Sequence, residues 1–198
     1  MPRTTILIVA LSLALARAEA SAQRGTAQGG ARPSDSVLLT SVTSLKNEGT
    51  QLKLVSKTIK DAVYYDVQVS GDSALTSMLY DLQTMGHDLL VEADKVRSYA
   101  EKAISELKGQ APSYSAIQQD MADTVTEAGV FKPQINSFKA AMQDFIAKAK
   151  ARGHSNDSLI SELTKIAGYG DELLTRTATV VTHAQAIASQ LQGGQVVG

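Results

Sequence analysis

Apolar residues recur at steps of three, four and seven over four long segments, and this period constrains the fold more than any other feature of the sequence. Such spacing places side chains on one face of a helix. In the first segment, from about residue 35 to 68, the recurring residues are Leu38, Val42, Leu45, Leu52, Ile59 and Val63. Residues 63–69 are rich in β-forming residues and would also suit a short strand. A single strand would have no partner, so the prediction is a helix.

The second segment has the clearest apolar period and is also predicted to be a helix. Residues 70–73 supply a turn and an N-cap ahead of it, and residues 109–112 contain the glycine and proline that end it. Ser115 and Gln118 then form a capping-box pattern. This pattern predicts that a third helix starts there.

The third segment contains Pro133, which removes a backbone donor and disfavours helix in the residue before it. We therefore expect a bend or a break near Pro133, after which the apolar period resumes and runs to Gly153. Residues 154–158 turn the chain into a fourth helix that Gly193 and Gly194 close. Four long segments joined by short loops predict an all-α, antiparallel up-down-up-down bundle of four long helices.

The amino terminus has the pattern of a secretory signal peptide. Arg3 precedes an apolar run at residues 6–16, and small residues then offer cleavage sites. That run is about half the length that a membrane-spanning helix needs, so we predict no transmembrane anchor. The predicted organisation is a signal peptide at 1–22, a flexible leader at 23–34, a helical bundle domain at 35–192 and a loose tail at 193–198.

The chain contains no cysteine, so packing alone must hold an exported domain together. Its formal charge is -1, and removal of Arg3, Arg17 and Glu19 with the signal peptide leaves -2. This balance is neither basic nor acidic enough to indicate nucleic acid or an anionic membrane as a partner.

Catalysis is the weaker hypothesis for this chain. A di-iron bundle needs Glu-x-x-His, and none of His87, His154 and His183 has a glutamate three residues before it. Asp88 and Glu92 lie one helical turn apart, and such pairs usually form a solvated face. We find no phosphate-binding glycine loop and no Gly-x-Ser-x-Gly motif. The prediction is a non-enzyme with no cofactor and no metal site.

Two features indicate binding or modification. Lys46, Lys53, Lys57 and Lys60 fall within one stripe of the first helix, which could hold an acidic ligand or form an ordinary solvated face. Asn156 begins the one N-glycosylation sequon, in a predicted exposed loop. The lysine stripe is the candidate ligand site, and Asn156 is the candidate glycosylation site.

The surface is predicted to be weakly charged, because charged residues make up 20% of the chain against about 25% in typical soluble domains. Amphipathic helices of this kind bury apolar stripes behind weakly hydrated faces. A bundle without disulfides can open along a helix seam and lay those stripes on lipid or another apolar surface. The same stripes are also explained as the bundle core.

A signal peptide, a cysteine-free domain rich in Ala, Ser and Thr, and a local pattern together suggest a family. The pattern is 145–150 (FIAKAK), a break with Gly153, then 158–163 (SLISEL). It resembles the fungal hydrophobic-surface-binding proteins, also called cell-wall galactomannoproteins. The resemblance implies a secreted or wall-associated protein that adsorbs to hydrophobic surfaces or binds lipid, with no catalytic residues. The chain differs in its longer Gly/Arg leader and in its tyrosines.

The functional prediction is a secreted, non-catalytic protein that uses amphipathic helices to bind lipid, an apolar ligand or a hydrophobic surface. The alternative is a secreted effector or inhibitor that docks a helix face on an extracellular partner protein. Retained lipid in the purified protein would favour the first hypothesis. Co-purification with one specific protein would favour the second.

Overall fold

The computed structural model describes residues 32–65, 67, 72–153 and 157–193. The predicted signal peptide, residues 23–31 of the leader, Asn156 and the tail from residue 194 lie outside the described residues. The described part of the chain forms four helices, α1 (Asp35–Tyr65), α2 (Ser73–Leu107), α3 (Tyr114–Ala151) and α4 (Asp157–Gly193). The prediction of an all-α, four-helix fold is confirmed.

The helices form a closed ring in which each packs on the next and α4 returns to pack on α1. The contact between α1 and α2 shows their relative direction, because Gly49 lies against Arg97 while Lys60 lies against Gly86. Facing residue numbers sum to 146 at both places, so the two helices run antiparallel and in constant register. Consecutive helices joined by short loops complete the up-and-down bundle.

Buried positions repeat every seven residues along each helix, as in coiled-coil packing. In α1 the two buried rows are Leu38, Leu45, Leu52, Ile59 and Val42, Gly49, Ser56, Val63. In α2 they are Leu75, Leu82, Leu89, Val96, Ala103 and Leu79, Gly86, Ala93, Ala100, Leu107. In α3 they are Ile117, Thr124, Phe131, Phe138, Phe145 and Met121, Ala128, Ile135, Met142, Ala149. In α4 they are Leu163, Gly170, Thr177, Ala184, Leu191 and Ile166, Leu173, Val180, Ile187.

Large and small side chains complement one another in this core. Helices α1, α2 and α4 carry glycine, serine, alanine or threonine at several buried positions. Phe131, Phe138 and Phe145 of α3 are fully buried and are the largest side chains in the core. Their volume fills space that the small residues leave, which is how interiors reach close packing without voids.

The helix ends agree with the sequence in part. The N-cap of α2 lies within residues 70–73 as predicted, and it is Asp72, whose side chain accepts hydrogen bonds from the backbone N–H groups of Ala74 and Leu75 at 3.0 and 3.1 Å. The capping box predicted at Ser115 is wrong, because the N-cap of α3 lies two residues earlier, at Ser113, which accepts from the N–H of Ala116 at 3.3 Å.

The first helix ends at Tyr65, three residues before the predicted end. Val67 lies outside the helix, and only 2% of it is exposed. Its side chain therefore packs into the core from the loop, which explains why its apolar character extended the predicted helix too far. The described residues contain no strand here, so the alternative of a short strand receives no support.

Pro133 lies inside α3, which continues through it to Ala151. Of the predicted bend or break, the break is therefore wrong. The reason is the place of the proline on the helix: Pro133 and Gly129, whose carbonyl loses its intrahelical partner, both face solvent. Water can hydrogen-bond that carbonyl, so the helix does not have to end.

None of the four described helices contains an apolar stretch long enough to cross a membrane.

Candidate functional site

The amino-terminal half of the lysine stripe on α1 faces carboxylates of α2. Lys46 Nζ lies 3.1 Å from Glu101 Oε1, and Lys53 Nζ lies 2.9 Å from Asp94 Oδ1. Arg97 of α2 joins both acids, with Nε 2.9 Å from Asp94 and Nη1 2.6 Å from Glu101. Burial alone would raise the pKa of Asp94, but the hydrogen bonds from Lys53 and Arg97 outweigh it and lower that pKa. A ladder of ion pairs therefore ties α1 to α2.

The carboxy-terminal half of the stripe is paired within α1. Lys57 and Lys60 both contact Asp61, and Lys60 Nζ lies 3.4 Å from its Oδ1. The pKa of Asp61 is lowered, chiefly by its hydrogen bond with Lys57. An acidic ligand at the stripe would have to displace these carboxylates. The stripe as a ligand site stays a prediction, and the structure assigns its lysines to ion pairs.

The two described histidines lie on different helices, and His154 lies outside the described residues. His87 is exposed on α2, and His183 is half-buried on α4. Within the described ranges, no three histidine, aspartate or glutamate side chains are grouped to hold a metal ion. The candidate glycosylation residue Asn156 lies outside those ranges, so its glycosylation stays a prediction.

Two carboxylates, buried Glu92 and half-buried Glu127, lie together between α2 and α3. Glu92 is only 8% exposed, so its interpretation as part of a solvated face with Asp88 is wrong. Lys95 Nζ lies 2.8 Å from Glu92 Oε1 and 3.3 Å from Glu127 Oε1, so one lysine serves both acids. Glu92 Oε2 and Gln134 Oε1 are buried acceptors that meet no donor among the described groups. A proton on the pair and a half-turn of the Gln134 amide would supply the missing donors.

The pKa values of the two carboxyl groups are shifted in opposite directions. The hydrogen bond to Glu92 is the main cause that raises the pKa of Glu127, and burial adds to it. Burial alone would raise the pKa of Glu92, but the hydrogen bonds from Glu127 and Lys95 outweigh it, and its pKa is lowered. As pH falls, Glu127 is therefore the first of the two to take up a proton, and Glu92 is the acceptor.

The Glu127→Gln variant is expected to be more stable than the wild type above neutral pH, by about 1 kcal/mol, and equally stable near pH 4. The folded-state pKa of Glu127 is raised, so its contribution is complete below the unfolded pKa of about 4.3 and is lost as pH rises through the folded pKa. Glutamine keeps the neutral hydrogen bond at all pH values. Denaturation of both proteins from pH 4 to 9 measures the difference.

Asp88→Asn is the matched control for this experiment, because Asp88 is exposed on the same helix as Glu92. It should change stability little at any pH. Parallel curves for Glu127→Gln and the wild type across the whole range would contradict a shared proton.

The seam between α1 and α4 differs from the other three. It is the least extensive contact in the ring, and it is the one that no loop bridges. Arg176 and Glu48 form an ion pair across it, with Nη1 3.6 Å from Oε2. On the other side of α1, the ion pairs Lys46 to Glu101 and Lys53 to Asp94 and the close backbone approach at Gly49 hold α2 firmly.

A groove of about 250 Å³ opens this seam near the end of α1. Its walls include Tyr65 of α1 and Tyr169 of α4, with Asp61, Glu162 and Lys165 at its polar edge. A second depression of about 540 Å³ lies on α2 beside Tyr80. Both are open to solvent, and the bundle core is filled with side chains, so an apolar ligand in the core would have to separate the helices.

The sequence pointed to the lysines of α1 but not to their partners. Glu92 and Glu127 are 35 residues apart in the sequence, so their pairing needs the register of α2 against α3. One signal was present: Glu92 sits among Leu89, Ala93 and Val96, on the apolar face of its helix. A charged residue at such a position indicates a buried partner.

Comparison of the chain with protein-family models, with curated proteins and with solved structures finds no match in any of the three.

Proposed function

We propose that this chain is a secreted, non-catalytic protein that binds lipid or another hydrophobic surface by opening its bundle between α1 and α4. The observation that carries the proposal is the α1–α4 seam, which has the least extensive contact and no connecting loop. The two helices can separate there while all three loops stay intact. The predicted signal peptide and the resemblance to hydrophobic-surface-binding proteins support export, to the medium or the cell wall.

Opening this seam exposes long apolar surfaces. The buried rows of α1 and α4 run the length of helices of 31 and 37 residues. At 1.5 Å per residue, these helices are about 45 to 55 Å long. The chain has no cysteine, so no disulfide holds the seam closed. Exposed rows of this kind are stable only against an apolar phase, because water would disfavour them by about 25 cal/mol per Å².

A cross-linking experiment tests the opening. Glu48→Cys with Arg176→Cys places the only two thiols of the chain on either side of the α1–α4 seam. A cleavable bismaleimide then joins the helices. Binding to phosphatidylcholine vesicles or hydrophobic beads is expected to fall at least tenfold on cross-linking and to recover on cleavage, because the closed bundle keeps its apolar rows buried.

The matched control is Lys46→Cys with Glu101→Cys, which crosses the α1–α2 seam at another ion pair. Its cross-linked form should bind as well as the form without cross-linker. Equal binding by the open and cross-linked forms of the Glu48/Arg176 variant would show that the protein binds as a closed bundle, and the opening mechanism would be wrong.

The α1–α2 face favours a second candidate function, docking of a helix face on a partner protein. The ladder of Lys46, Lys53, Asp94, Arg97 and Glu101 gives this face fixed charges of both signs. Such a face suits recognition of a protein with complementary charges. Capture of one specific extracellular protein, unaffected by the α1–α4 cross-link, would support this function over lipid binding.

A further inference from the structure

Three exposed tyrosines lie at one end of the bundle. Tyr64, Tyr65 and Tyr80 are 58%, 66% and 64% exposed. The register of α1 against α2 places Asp81, the residue after Tyr80, opposite Tyr65, so all three tyrosines lie at about the same height. The rings of Tyr64 and Tyr65 meet edge to face, with centroids 4.8 Å apart. We call these three residues the tyrosine rim.

Tyr114, at the opposite end of the bundle, has partners for both its hydroxyl and its ring. The hydroxyl of Tyr114 donates a hydrogen bond of 2.7 Å to Asp35, and the guanidinium of Arg32 lies 3.4 Å from its ring centre. Both groups of Tyr114 therefore make contacts within the protein. The rim tyrosines present both ring and hydroxyl to solvent, although exposure of large aromatic side chains costs free energy that burial would recover.

The charges named around the rim are of both signs and equal in number among the described residues. Arg152 Nη1 lies 3.0 Å from Asp72, Lys165 Nζ lies 3.4 Å from Glu162, and Asp61 contacts both Lys57 and Lys60. Asp81, the residue after Tyr80, is exposed and adds the fourth negative charge. A surface with balanced charges and exposed tyrosines gains little from an anionic partner. It complements an interface that is itself neutral overall, with apolar and polar layers side by side.

We propose that the tyrosine rim is the surface by which the chain seats on a zwitterionic lipid–water interface. Tyrosine suits this position because its ring enters the boundary of the acyl chains while its hydroxyl stays at the headgroups. Tyr65 is also a wall of the groove that opens the α1–α4 seam. When the rim contacts lipid, the groove between α1 and α4 therefore lies next to the lipid surface. This inference rests on the proposed function and adds the contact surface and the lipid class.

The test measures partition of the full-length exported protein onto phosphatidylcholine vesicles by flotation. Tyr64→Ser, Tyr65→Ser and Tyr80→Ser together should reduce partition at least about tenfold, because each ring carries a large apolar area. The matched control replaces three exposed apolar residues away from the rim: Val37→Ser, Val91→Ser and Val130→Ser. The control should stay within about twofold of the wild type. Circular dichroism confirms that both variants are folded.

Wild-type binding should change little between about 0.05 and 0.5 M salt, and little when anionic lipid is added, because the positive and negative charges around the rim are equal in number. A steep salt dependence would overturn the choice of a zwitterionic surface. Equal partition by the rim variant and the wild type would overturn the rim while the proposed function stands. Binding of the wild type to hydrophobic beads but not to vesicles would also overturn the rim as a lipid contact while the proposed function stands. Binding to neither would overturn both proposals.

A tryptophan reporter gives an independent reading, since the chain has no tryptophan of its own. Tyr80→Trp should show a blue-shifted emission and quenching by brominated phosphatidylcholine. Val37→Trp, at an exposed site near the start of α1, should show neither. Quenching of both reporters alike would contradict seating by the rim, and capture of a protein partner through the rim without vesicle binding would assign it to protein docking instead.

Discussion

Replacing Pro133 by alanine is expected to raise the free energy of unfolding by up to about 3 kcal/mol, the penalty of proline relative to alanine in a helix interior. Helix α3 runs through this position without a break. The proline leaves the carbonyl of Gly129 without its helical donor, and alanine restores that hydrogen bond. Denaturant unfolding at 25 °C measures the gain as a higher midpoint with an unchanged slope.

Pro112→Ala is the control, since Pro112 lies in the loop between α2 and α3. There proline restricts the unfolded chain without removing a helical hydrogen bond, so its replacement should lower stability by about 0.4 to 1 kcal/mol. The two substitutions are therefore expected to have opposite signs. If Pro133→Ala were neutral or destabilising, the backbone around it would have to depart from a helix that can accept the bond, and the continuous α3 would be wrong.

The helical stripes could be predicted because their period is local. Leu38, Val42, Leu45, Leu52 and Ile59 are all buried, at the spacing from which the first helix was inferred. One apolar face per helix leaves few ways to hide four of them, so the bundle followed from the stripes. The helix ends were harder, because Ser113 and Ser115 both have the chemistry of a cap and only the fold selects between them.

Contacts between helices could not be read in the same way. Gly49 and Gly86 appear in the sequence only as weak helix formers. Their role depends on Arg97 and Lys60 of the facing helix, and thus on a register that sequence spacing does not fix. Glu92 was misread for the same reason. Asp88, one helical turn before Glu92, is exposed, whereas the partner of Glu92, Glu127, belongs to another helix.

The tyrosine rim shows a further limit of the sequence. In the sequence, Tyr64 and Tyr65 are only β-forming residues near the predicted end of α1, and tyrosines are a difference from the family that the chain resembles. Their exposure and their common level with Tyr80 depend on where α1 ends and how α2 returns beside it. The tyrosine rim can therefore be recognised only when the positions of α1 and α2 relative to each other are known.

Gly49→Ala is expected to lower the free energy of unfolding by about 1 to 3 kcal/mol, as overpacking of a well-filled interface does. A Cβ atom at Gly49 would lie 2.9 Å from the Cα of Arg97, and that atom belongs to the backbone of α2. The helices would have to move apart, which would also disturb the ion pairs that Arg97 makes with Asp94 and Glu101. Thermal and denaturant unfolding should agree on the loss.

A graded series gives the control, because the same substitution meets different surroundings on other helices. Gly168 is open to solvent, and alanine there should raise stability by about 0.8 to 1 kcal/mol through helix propensity alone. At Gly86 the new Cβ would lie 3.3 Å from the Cα of Lys60, so the change should fall between the other two. A stabilising Gly49→Ala would mean that α1 can leave α2 without penalty. The α1–α2 seam would then be as ready to open as the α1–α4 seam, and the physical reason for choosing the latter would be lost.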